Sequence, residues 1–140
     1  MLNYALVVFI LLITSNSYAD EAEKQEIIER CKTEMGEYGP SMVKACVDQD
    51  MEAASTLRKY PDHHGPITER CMDQMRNYGF SMVKACVDQD IEAVAAIENI
   101  SDKYASILDR CMKQMKSYGF SMVLACTKQD IEAEEALKNY

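Results

Sequence analysis

Apolar side chains return every three or four positions along most of this chain. Between residues 67 and 78 they are Ile67, Cys71, Met75 and Tyr78, which lie on one face of a helix. Pro66 suits the first turn of that helix, and Gly79 follows it where a chain commonly leaves a helix through a left-handed glycine. Ser81 is placed to cap a second helix. There Met82, Cys86, Ala93, Ile97 and Ile100 share a broad face with Val83, Val87, Ile91 and Val94 beside it, and the opposite face is charged. Two helices joined by so short a turn predict an antiparallel helical hairpin.

The same pattern is written three times. "IERCKTEMGEYG" (28–39) matches "TERCMDQMRNYG" (68–79) and "LDRCMKQMKSYG" (108–119). "YGPSMVKACVDQDMEA" (38–53) matches "YGFSMVKACVDQDIEA" (78–93) and "YGFSMVLACTKQDIEA" (118–133). A fixed period of 40 residues indicates stacked supersecondary units, because one hairpin cannot bury its apolar face alone. The expected fold is all-α: three tandem antiparallel helical hairpins stacked as a small solenoid or bundle. One helical-repeat domain, 20–140, is expected to hold units 20–60, 61–100 and 101–140. The link "PDHHGP" (61–66) breaks the helix, whereas Ser101 in "SDKY" is placed to start a longer helix running through to Tyr118.

The six cysteines change the picture from a plain bundle to a stapled one. They stand at 31, 46, 71, 86, 111 and 126, separated alternately by 15 and 25 residues. Cys71 lies eight residues before Gly79 and Cys86 seven after it, so a tight hairpin sets them nearly opposite each other. Helix axes about 8–10 Å apart then bring facing Cα atoms within disulfide range. One intra-hairpin disulfide each is expected: Cys31–Cys46, Cys71–Cys86 and Cys111–Cys126.

Residues 1–19 carry no charge and contain the apolar run "ALVVFILLI" (5–13), followed by Ser17-Tyr18-Ala19. This has the outline of a secretory signal peptide, 1–19, too short in its apolar run for a membrane span. The lack of Lys or Arg before the run leaves an uncleaved anchor as the competing reading. Export and an even cysteine count imply a periplasmic or secreted protein with no membrane span after cleavage. The net charge of −8 and the absence of a basic run disfavour nucleic acid.

Each unit also carries a set C-x3-M-x6-M-x3-C. The methionines are Met35 and Met42, Met75 and Met82, and Met115 and Met122. Core packing beside the disulfide is the expected role, since methionine fills irregular gaps. The alternative is a soft-metal site for Cu(I), built on thiolates and thioethers.

Arg30, Arg70 and Arg110 precede the first cysteine of each unit, and Asp50, Asp90 and Asp130 follow the second by four residues. They read either as Arg–Asp pairs across the hairpin seam or as solvated charges. Gln49, Gln89 and Gln129 could form a polar ladder beside them. "DHH" (62–64) reads as a solvated turn, and Asn99-Ile100-Ser101 is a glycosylation pattern that counts only in a eukaryotic source. No Ser/His/Asp or Cys/His set and no phosphate loop is suggested, so no enzyme activity and no cofactor are expected. The expected role is binding or structural support, with a protein as the partner.

Overall fold

A computed structural model describes residues 20–140; the signal-peptide reading of 1–19 lies outside the described residues. The described residues are mostly helical, with no strand among them, and hold three helical hairpins. Helix α1 runs through residues 20–35, α2 Pro40–Leu57, α3 Gly65–Met75, α4 Phe80–Glu98, α5 Ala105–Met115 and α6 Phe120–Leu137. Single 3-10 turns, Gly36–Tyr38, Arg76–Tyr78 and Lys116–Tyr118, close the first helix of each hairpin. The chain divides into two compact units, Met1–Ser55 and Thr56–Tyr140.

The disulfides pair as the spacing predicts. Cys31–Cys46, Cys71–Cys86 and Cys111–Cys126 have Cα atoms 5.7, 5.8 and 5.8 Å apart. The first cysteine of each pair is fully buried. In the first unit Ile27 and Cys31 meet this buried state together with Ala53 and Ala54. In the second unit one cluster gathers Ile67, Cys71, Val83 and Val87, and another gathers Ile107, Cys111 and Val123.

Three expectations of the turns need correction. The turn glycines Gly39, Gly79 and Gly119 have φ of 96°, 104° and 120° with ψ of 167°, 165° and 161°. That extended positive-φ region, rather than the left-handed helical one, is open essentially to glycine alone. Ser81 and Ser121 do not hold the cap position. Helices α4 and α6 begin at Phe80 and Phe120, with Gly79 and Gly119 as their caps, two residues before the serines. Ser101 starts a 3-10 turn, Asp102–Tyr104, with no side-chain cap bond, and α5 begins only at Ala105.

A fourth correction concerns the methionines. Met42, Met82 and Met122 are about half exposed, at 47%, 48% and 47%, instead of lying in a core layer. The buried stripe of α4 runs through Phe80, Val83, Val87, Asp90 and Ala93. Met82 is one position off that stripe, and each helical residue turns the face by about a quarter of a circle. Met35, Met75 and Met115 remain partly buried.

The outer end of the third hairpin is tied by Glu135. Its carboxylate accepts from Lys138 Nζ at 2.8 Å and from the Tyr104 hydroxyl at 2.6 Å. These hydrogen bonds, Lys138 first, hold its pKa down at about 2. A carboxylate depressed in the folded state stabilises above its ordinary pKa and loses that contribution as pH falls through the folded value. The window here is from about 4.5 down to about 2. A carboxyl-detected NMR titration is expected to place the Glu135 midpoint near 2, and Lys138→Met to move it up towards the ordinary range.

Candidate functional site

The Arg–Asp candidates turn out to be the most buried charges described. Asp50 and Asp90 are 2% and 1% exposed, while Asp130 is partly open. Arg30 meets Asp50 at 2.5 Å, and Arg70 meets Asp90 at 2.8 Å. Arg110 also pairs with Asp130. A charge this deep costs several kcal/mol unless every lone pair finds a donor. The structure shows where the donors of Asp90 come from.

Asp90 lies on α4, and it reaches the start of α6 in the next hairpin. Its Oδ2 accepts from the Phe120 backbone N–H at 2.8 Å, and its Oδ1 from that of Ser121 at 3.0 Å. The first N–H groups of a helix have no partner inside it, and the helix dipole makes that end positive. A carboxylate there satisfies two orphan donors with charge-assisted bonds. Arg70 completes the arrangement. Its Nη1 donates to the Tyr118 carbonyl at 3.2 Å and to Gln74 Oε1 at 2.5 Å, while Nη2 holds Asp90. The same Nη2 lies 3.1 Å and 3.4 Å from the sulfurs of Cys71 and Cys86.

The turn must be glycine for this to fit. A Cβ on Gly119 would stand 2.9 Å from Arg70 Nη2 and 2.9 Å from Asp90 Oδ1. Phe120 then packs against the Ile67–Cys71–Val83–Val87 core of the preceding hairpin. One hairpin therefore receives the turn of the next with an ion pair, a capped helix and an inserted ring. We call this arrangement a lock. The seam residues read from the sequence are structural in this unit, and the hydrogen bonds of Asp90 span thirty positions of chain.

Gln49, Gln89 and Gln129 are all exposed and do not lie in the lock. The lock does use Gln74, whose amide donates to the Ser117 carbonyl at 3.4 Å. Sequence reasoning passed over Gln74; its only signal was its place one turn after Arg70.

The sulfur sets are divided. All six cysteines are in disulfides, so thiolate ligands for Cu(I) are not available in this state. Cys111, Cys126 and Asp130 bring possible ligand atoms within 4.8 Å, but the two sulfurs are bonded to each other. What each set retains is its two methionine thioethers.

A different surface feature repeats with the period of the chain. Tyr38, Tyr78 and Tyr118 are each 64% exposed, next to the half-exposed Met42, Met82 and Met122. Tyrosine and methionine stand four residues apart across the turn. In the second unit an open groove of about 590 Å³ runs between the two hairpins, lined by Met75, Met82, Gln89, Tyr118 and Met122 among others. Asp88 also lines it, and its carboxylate accepts from the Tyr60 hydroxyl. Burial pushes the Asp88 pKa up, but the hydrogen bonds from Lys84 and Tyr60 outweigh it and hold the carboxyl below its usual range.

No protein family, curated protein or solved structure matches the chain. Among the described residues, no helix is long and apolar enough to cross a membrane.

Proposed function

We propose that this disulfide-stapled hairpin protein is an exported, non-catalytic binding module, periplasmic or secreted, that grips a protein partner through its tyrosine–methionine face. The observation that carries the reading is the exposed Tyr–Met pair, present in all three hairpins at matching exposure. Large apolar side chains left at the surface mark interaction sites, and tyrosine and methionine are enriched in interface cores. Three disulfides support an oxidising compartment. The acidic surface favours a protein over a polyanion.

The test is capture from the exported fraction, using as bait the wild type and a variant with Tyr78, Met82, Tyr118 and Met122 all changed to Ser. The wild type is expected to retain a partner that the variant loses by at least tenfold, with equal helical content in both. Identical capture by the two would remove this face from the function.

A further inference from the structure

Every hairpin carries both halves of the lock, but not every half is engaged. The receiving half is the Arg–Asp pair that joins the first helix of a hairpin to the second; the inserted half is the Tyr-Gly-x-Ser turn. In the second unit Arg70 and Asp90 receive the turn Tyr118–Ser121, and their side chains are 18% and 1% exposed. In the third hairpin Arg110 and Asp130 form the same pair with side chains 53% and 36% exposed. Beside them an open groove of about 470 Å³ is lined by Ile107, Ala133 and Leu137, the last 69% exposed.

The first hairpin carries an unengaged turn. A Cβ on Gly39 would meet nothing within 4 Å, whereas one on Gly119 would strike the lock. Gly39 already has the positive φ of the engaged turn, 96° against 120°. Pro40 and Ser41 are exposed, and they open α2 where Phe120 and Ser121 open α6.

From this complementarity we propose that a second copy of the chain docks head to tail, the Arg110–Asp130 pair of one copy receiving the Tyr38–Ser41 turn of the next. The contact joins a negative carboxylate to a helix start, as in the internal lock. It is a heterologous contact, so repetition yields a chain of copies instead of a closed dimer. Pro40 sets its strength. Proline has no N–H, so the turn offers Asp130 only the Ser41 donor where Phe120 and Ser121 offer Asp90 two. It also lacks the ring that Phe120 places in the neighbouring core. Pro40 is thus a brake on assembly at the one turn of the three that departs from Phe.

The experiment is sedimentation velocity over a range of concentrations. It uses the full chain produced in an exporting host with its disulfides oxidised. Pro40→Phe restores the residue found in the other two turns and is expected to tighten self-association at least tenfold over the wild type. Adding Asp130→Asn to Pro40→Phe is expected to return association to the wild-type level. A Pro40→Phe chain that associates no more tightly than the wild type would overturn the proposal, and so would association indifferent to Asp130→Asn. Circular dichroism on each variant confirms the fold. The Tyr/Met-to-Ser variant described above is expected to leave this association unchanged, which separates self-docking from partner capture.

Discussion

Replacing Asp90 by Ala is expected to destabilise the Thr56–Tyr140 unit by about 3–5 kcal/mol, the cost of breaking a buried ion pair by removing one partner. Three losses coincide there. Arg70 keeps a largely buried charge without its carboxylate, and the Phe120 and Ser121 N–H groups lose their acceptor at the start of α6. Asp130→Ala removes the corresponding carboxylate from an open pair, which is worth at most about 1 kcal/mol. Urea unfolding of the two variants side by side checks the contrast. Equal midpoints would mean that the lock contributes no more than a surface ion pair. A further variant, Arg70→Met with Asp90→Leu, removes both charges together and is expected to recover part of the loss.

Replacing Cys71 and Cys86 together by Ala is expected to cost about 3 kcal/mol, the chain-entropy value for a loop of 15 residues. In a unit of this size that is roughly 12 °C or more in melting temperature. The bridge does more than shorten the unfolded chain. Arg70 lies against both of its sulfurs while holding Asp90, so the staple and the lock share a side chain. The effects of the cysteine and Asp90 substitutions should therefore not add, since groups in one network couple. Thermal unfolding of the two variants and their combination measures that coupling. Strict additivity, or an unchanged melting curve for the cysteine variant alone, would contradict this account.

The hairpins and their disulfides were legible in the sequence because the signals are local. A glycine with one cysteine eight residues before it and another seven after it fixes turn and bridge together. The lock was only half legible. Val83, Val87, Asp90 and Ala93 fall at intervals of four, three and three, so the pattern already put an acid on the buried stripe of α4. What it lacked was the acid's partner, because the capped N–H groups belong to another hairpin. The same non-locality governs the start of α6, where the carboxylate that meets the first N–H groups comes from outside the helix. The methionines misled for a geometric reason. Met82 and Val83 are adjacent, either could extend the stripe, and packing chose Val83.

Because each hairpin brings its own receiver and its own turn, a tandem duplication of 40 residues creates both sides of a new junction in a single genetic event. No second substitution has to arise elsewhere to make the added copy fit. Length is then a variable that the gene can change without redesigning any surface.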